Sequence, residues 1–449
     1  MTTRRTPHLA ASGRPAEGPP TRRLVLVVRA DPVICGHSVE ARNLAEAALQ
    51  RGFDDVRILT WPVDRLEALG LPLKPADSIL AYSPGITVER PDPVGGYKVP
   101  DGRHTAGLVG RLVELFTDGV PTVAMSLYLL PHAMVVAEAL AAARATGAAG
   151  DITTLAEAVG SDITDIARAA VGEGRVGVAA HLFTTYLGND HCLAVSGYTR
   201  DLIVEAATHV DAALGTDFAP RCLERIRVSH PAIDSTACLD LDPRETDRVL
   251  ARRGLDTDGY VLYLSRLTRA KGVDDLVDGY ARCAARERLP LVVAGTGPAA
   301  DELRARASET AVADRIHFLD DVGDAEKLHL MAGCATYVLP SKPRREFVET
   351  FGIALAEEML AGGGPAITTM TGGIPEAVGD TAIVVPVDHP AAIADAIDWA
   401  VTMEPRERAE WRRQAREHAL QFDRMAVFDR LLAMVDGTEV TTNGTTAAA

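Results

Sequence analysis

Short apolar runs alternate along most of the chain with glycine-bearing turns and with stretches whose apolar residues keep helical spacing. Leu24-Val-Leu-Val-Val28 is bounded by charge and reads as a buried parallel strand. The turn-rich Asp31-Pro-Val-Ile-Cys-Gly-His-Ser38 follows, with Ser38 as the expected helix N-cap. Leu44, Ala48 and Leu49 hold helical spacing as far as Arg51-Gly52, a stop signal, and Val56-Arg-Ile-Leu59 is the next strand. This is a βαβ unit, in which Gly36 is either a structural turn or a point where backbone approaches a ligand closely. Ser78-Ile-Leu-Ala-Tyr82 reads as a strand, 84–103 as a long surface loop, and His104 to Phe116 as a helix. Pro121 to Leu130 reads as extended and Ala133 to Ala145 as an alanine-rich helix. Residues 147–174 mix helix-like patches with glycines and carry no assigned role: a lid, a site-shaping insertion or a surface elaboration. Gly177-Val-Ala-Ala-His181 reads as a strand that sets His181 at the ligand edge of a parallel sheet, either as a satisfied loop residue or as a functional one. Cys192 to Ser196 is the next strand, and a helix runs from Gly197 to about Ala213.

Ser229-His-Pro-Ala-Ile-Asp234 reads as a linker, after which a second series begins. Its strands are Tyr260 to Ser265, Leu291 to Ala294, Ile316 to Leu319, Ala335 to Leu339 and Thr381 to Val385. Helices are expected over Val273 to Arg286, Ala325 to Met331, Ala391 to Ala400, Pro405 to about Leu420 and Met425 to Met434. Such alternation calls for an α/β fold built on doubly wound parallel sheet.

At 449 residues the chain has room for two domains with full cores, or three. A formal charge of −16 argues against a nucleic-acid partner and weakens any case for docking on anionic lipid. No apolar run approaches the roughly 20 residues of a membrane span. Met1 to Arg23 lacks the apolar segment of a signal peptide and, like the Thr-, Asn- and Ala-rich stretch after Gly437, reads as disordered. A cytoplasmic protein with a small-molecule ligand is the resulting expectation. The six scattered cysteines contain no Cys-x-x-Cys pair, so neither zinc nor a disulfide framework is indicated.

The densest chemistry lies in Tyr337-Val-Leu-Pro-Ser-Lys-Pro-Arg-Arg-Glu-Phe-Val-Glu-Thr-Phe-Gly-Ile-Ala-Leu-Ala-Glu-Glu-Met-Leu360. A strand, a basic loop and a helix start follow one another, and the helix start offers amide groups and a dipole to an anion. Glu349 precedes that helix and Glu357 sits on its second turn. Arg266 and Lys271 flank the first strand–helix turn of the same series, and right-handed crossovers put both loops on one rim. Two cations and a helix N-terminus suit a diphosphate; the alternative is a solvated basic loop.

These residues together resemble the retaining glycosyltransferases of family 4, whose GT-B fold sets two Rossmann-like domains facing each other across a cleft. The likeness rests on Ser265-Arg266 to Lys271-Gly272, on Gly295-Thr-Gly-Pro298, and on Pro340-Ser341 ahead of Glu349-Thr-Phe-Gly-Ile. The Glu349–Glu357 pair has the family's Glu-x7-Glu spacing, and Gly372-Gly-Ile-Pro-Glu376 completes the set. In the first half, Gly36-His-Ser resembles the family's glycine loop, with Cys35 in place of its first glycine, and Ala180-His181 resembles its strand-end histidine. His230-Pro-Ala-Ile-Asp234 stands where the family has Pro-Asn-Gly-x-Asp. The match is firm in the second half and thin between Leu59 and Gly174.

The resemblance implies an acceptor domain over 24–236, a donor domain over 237–404, helices over 405–435 that pack back toward the first domain, and tails at 1–23 and 436–449. It implies transfer of a sugar, with retention, from a nucleotide-diphosphate sugar (UDP first, GDP next) to a small soluble acceptor. That acceptor could be a polyol, sugar, nucleoside or thiol metabolite of a secondary pathway, including an S- or N-linked one. Arg266, Lys271 and the Phe351-Gly352-Ile353 backbone would hold the diphosphate, with no metal and no cofactor. Glu349 and His181 would meet the donor sugar, Glu357 the ribose, and Gly36 and Gly295 would line the ligand loops. A sugar phosphorylase or synthase, and a nucleotide-sugar-binding protein without transfer activity, are the alternatives. The partners are small molecules, with room for a homodimer.

Overall fold

The computed structural model of the protein describes residues 21–75, 79–95, 102–345 and 347–438. The expected tails at 1–23 and 436–449 lie almost wholly outside the described residues, as does Ser78. Thirteen described strands form two parallel sheets, one of seven strands and one of six. Two compact units result: Met1–Ala156 with Gly188–Asp190, and Glu157–Leu187 with His191–Ala449.

In the first unit, β1 (Arg23–Val27), β2 (Asp55–Leu59), β3 (Ile86–Glu89), β4 (Thr122–Leu127) and β5 (Ile152–Ala158) lie in the order β3-β2-β1-β4-β5. β1 is buried along its whole length, as an unbroken apolar run between two neighbours requires. Its one charged residue, Arg23, is paired with Asp55 at 2.6 Å and Asp118 at 2.7 Å. The helices Gly102–Thr117 and Met134–Thr146 pack together, and Leu108, Leu112, Val135 and Ala139 join Val25 and Val27 in one core.

The second unit holds the parallel pair β6 (His191–Ala194) and β7 (Ile226–Val228). It also holds a sheet of β8 (Val261–Leu264), β9 (Leu291–Ala294), β10 (Ile316–Leu319), β11 (Thr336–Leu339), β12 (Ala366–Thr368) and β13 (Ile383–Val384). The order β10-β9-β8-β11-β12-β13 is that of a dinucleotide-binding fold. Its switch point lies between β8 and β11, whose loops carry the Arg266–Lys271 and Pro340–Glu349 stretches. The helix Ile353–Ala361 runs back from that edge, and Pro405–Ala419 packs on it, with Arg416 donating to the Leu360 carbonyl at 3.0 Å.

Several sequence expectations need correction. Ile86-Thr-Val-Glu89 is a strand inside the stretch expected to be loop; its β-branched run pairs with β2, whereas 79–82 is not strand. β5 and β12 were unanticipated. Cys35, in extended conformation, is the N-cap of the Gly36–Gln50 helix, and Ser38 lies inside it. Gly177 to His181 is not a strand, because Val176–Leu187 is helical. Ala179, Leu182, Phe183, Tyr186 and Leu187 form its buried stripe, a period that a five-residue window cannot reveal.

No helix among the described residues is long and apolar enough to cross a membrane. The six cysteines are all free, and five of them are buried.

Candidate functional site

At the end of β8 the chain turns through Ser265–Thr268 and a single tight helical turn, Arg269–Lys271, before the helix Val273–Tyr280. Arg266 is exposed and has no carboxylate partner among the described residues. Lys271 is buried and forms an ion pair with Glu349, whose side chain is 10% exposed. The loop after β11 closes over this turn, with the Lys342 amide donating to the Ala270 carbonyl at 2.8 Å. Phe347, bridged back to Arg344, lies between the two cations, 5.7 Å from the Arg266 guanidinium and 5.3 Å from the Lys271 ammonium, measured to the ring centre. A ring face held by two cations keeps them near each other despite their like charge.

The neighbouring Lys342 has a different setting. Its ammonium meets Asp274 and Asp275 at 2.8 Å and Asp388 at 3.1 Å. Burial pushes its pKa down, but the three carboxylates more than reverse this and raise it. Lys342 therefore fastens the loop to the start of the Val273 helix, with its charge already matched.

The helix Ile353–Ala361 begins at Gly352, which has φ +108°, with no side chain capping it and no acid in its first turn. Its leading end is thus open to an anion. Phe351 is buried, stacked on His230 at 5.3 Å and edge-on to Phe422 at 4.9 Å, so this ring anchors the helix start and leaves the backbone for any ligand contact. On the second turn Glu357 takes a 2.6 Å ion pair from Lys327. Burial lowers the Lys327 pKa, but Glu357 raises it by more. Its neighbour Glu358 differs: burial lifts its pKa well above the carboxylate range, and Oε1 has no hydrogen-bond partner among the described residues.

Gly295 follows β9, and a Cβ there would overlap the Ser265 carbonyl oxygen, so this glycine lets the two loops lie backbone against backbone. Gly36 opens the Gly36–Gln50 helix in the first unit. Of the expected residues, Lys271 and Glu349 are paired, Phe347 lies near both Lys271 and Arg266, and Phe351, Gly352, Ile353 and Glu357 follow Glu349 along the chain into the helix. His181 is not on a strand as expected: it stands exposed on the Val176–Leu187 helix.

The strand end itself belongs to β5. The Asp162 carboxylate accepts the Val159 amide at 3.2 Å and the Gly160 amide at 3.0 Å, and Gly160 lies so close to Thr350 that any Cβ would collide with its methyl group. The sequence signal was the Gly-Ser-Asp turn after a β-rich run. Glu376 was also missed as a working residue. It accepts the Gly197 amide at 2.9 Å and the Tyr198 amide at 3.3 Å, at the start of the Gly197–Leu214 helix, and bonds to His230 at 2.9 Å. Burial alone would raise its pKa; these partners lower it. Among the described residues no cluster of three or more His, Cys, Asp or Glu is placed to hold a metal ion.

Residues 248–418 match the family model of glycosyl transferases group 1. D-rhamnosyltransferase WbpZ of Pseudomonas aeruginosa is 30% identical over 199 residues, which cover 39% of this chain and 50% of that protein. The D-inositol 3-phosphate glycosyltransferase of Mycolicibacterium smegmatis is 31% identical over 220 residues, 46% of each chain. The chain thus spans about half the length of the curated relatives it matches. Among solved structures, Anabaena HepE, crystallised with UDP and glucose, superposes with a TM-score of 0.66 at 18% identity, over 92% of this chain and 99% of HepE. That likeness is one of fold: GT-B, with two Rossmann-like domains on parallel sheets.

Proposed function

We propose that the protein is a retaining glycosyltransferase that moves a sugar from a nucleotide-diphosphate sugar to a small acceptor. The observation that carries this reading is the meeting of Arg266, which has no carboxylate partner among the described residues, the Lys271–Glu349 pair and the uncapped Ile353 helix at the switch point of the second sheet. A diphosphate bound there would lie between two cations and a helix N-terminus, and the charge that develops on the leaving group would be stabilised without a metal. Lys271 would bridge Glu349 and the diphosphate, which sets Glu349 beside the sugar hydroxyls and the oxocarbenium-like carbon. Glu357, one turn deeper, would accept from the ribose while Lys327 neutralises it. The matched family model and the names of the two relatives support transfer of a glycosyl group.

The test is nucleoside diphosphate release from a panel of UDP- and GDP-sugars with candidate acceptors, followed by the anomeric proton coupling of the product. Release with a retained anomeric configuration is expected. Tight donor binding without release under any pairing would point instead to a nucleotide-sugar-binding protein, and an inverted product would remove the retaining assignment.

A further inference from the structure

The first unit has a switch point of its own, between β1 and β4, where Val27 pairs with Ser126. Two residues beyond β1 stands Arg29, partly buried and with no carboxylate partner among the described residues. The obvious candidate, Asp31, is held elsewhere, by Arg42 at 2.9 Å, Lys74 at 3.4 Å and the Tyr82 hydroxyl at 2.9 Å. The Arg29 guanidinium instead lies 5.3 Å from the ring centre of Tyr128, the first residue after β4. Tyr128 has φ +93°, a conformation that non-glycine residues hold only when their surroundings enforce it and one that gathers at ligand sites. His37, on the first turn of the Gly36 helix, faces the same ring at 6.2 Å, and His132 meets it edge-on at 6.2 Å. His132 is buried and accepts the Trp61 indole N–H at 3.3 Å. Burial first, then the Arg29 charge, push its pKa down to about 3, so this imidazole is neutral and the positive charge at the rim belongs to Arg29. Arg29 is thus a half-buried cation over a strained tyrosine, without a carboxylate partner among the described residues.

We propose that this end of the first sheet is an acceptor subsite for an anionic group, with Arg29 and His37 holding a carboxylate or phosphate while the body of the molecule lies against Tyr128. This rests on the glycosyltransferase reading for the word acceptor, though not for the binding itself. It narrows the acceptors to hydroxy acids and sugar or polyol phosphates rather than their neutral parents.

Two arms of one experiment test it. In the first, inorganic phosphate and malonate are titrated into the Arg266→Ala protein, which weakens the donor cations, and the ligand-dependent rise in melting temperature is compared after adding Arg29→Gln or Arg29→Lys. The rise should fall by more than half with Gln and be largely kept with Lys, and its size with each probe tells phosphate from carboxylate. An unchanged rise with Gln overturns the proposal, whatever the substitution does to the baseline melting temperature. In the second arm, nucleoside diphosphate release is measured with sugar phosphates and hydroxy acids against matched neutral sugars and alcohols. Anionic acceptors should show at least tenfold higher kcat/KM, lost in Arg29→Gln through acceptor KM while donor KM stays within twofold. Equal use of neutral and anionic acceptors by the unaltered protein also overturns it. Absence of release with every donor would sink the donor reading, and the first arm would still decide this one.

Discussion

Three lysines near the edge of the second sheet show how one residue type takes separate duties. Among the described residues Lys342 is matched by three aspartates, Lys327 by Glu357, and Lys271 by Glu349. Removing one member of a buried pair leaves an uncompensated charge at about 3–5 kcal/mol, whereas removing both can be nearly neutral. Lys271→Met should therefore lower the melting temperature, and Lys271→Met with Glu349→Gln should recover most of it while nucleoside diphosphate release stays at the single-mutant level. Recovery of turnover along with stability would mean that Lys271 serves the fold only. Arg266→Ala should lack any such stability effect because the side chain is exposed and has no carboxylate partner among the described residues. It should reduce turnover by roughly 10²-fold, as the loss of one leaving-group donor does. Glu358 gives a pH test. Its folded-state pKa is raised by burial, so the folded state holds a proton that the unfolded chain releases. Stability from this group is full below the ordinary carboxylate range and declines as pH rises through the raised value. Glu358→Gln should melt higher than the unaltered protein at about pH 7.5, and the gap should close on acidification. A gap independent of pH would show that the carboxyl is not the cause.

At the scale of elements, the site is a stack of loops that touch through backbone. The Gly373 amide donates to the Glu349 carbonyl at 2.9 Å, and a Cβ on Gly373 would overlap the Thr350 carbonyl oxygen. Gly373→Ala must displace the Glu349–Thr350 segment from this turn, and donor affinity in a calorimetric titration is expected to fall at least tenfold. An affinity within twofold of the original would show that the segment's position does not matter to the donor. What the sequence revealed divides along the same line. The strand–loop–helix alternation around Arg266 and Glu349 is local, and its strands and helices were legible from spacing and turn residues alone. Misreadings arose where local cues were short or masked. The run Gly177 to His181 is too brief to separate helix from strand, and the prolines and glycines around Ile86 to Glu89 hid an edge strand. Gly160 against Thr350, and Glu376 against Gly197, join residues some 180 positions apart, and no local pattern encodes such pairs.

For the whole molecule, the division into units makes Glu376 a keystone of the second. It ties the start of the Gly197 helix and His230 to the turn that supports Glu349. Its pKa is depressed in the folded state by His230 and the two amides, so its contribution is present above the ordinary carboxylate range and is lost as pH falls through the lowered value. Glu376→Gln should lower the melting temperature at neutral pH, flatten its acid limb, and raise amide exchange at 197–200 and 372–376 together. Exchange confined to 372–376 would mean that the two segments are not coupled. The measurement that bears most directly on the donor site is a calorimetric titration of UDP- and GDP-sugars into the unaltered and Arg266→Ala proteins. One nucleotide sugar should bind in the micromolar range, about −8 kcal/mol, and at least tenfold more weakly to Arg266→Ala. Equal affinity in the two proteins, or no binding of any nucleotide sugar, would contradict the site described.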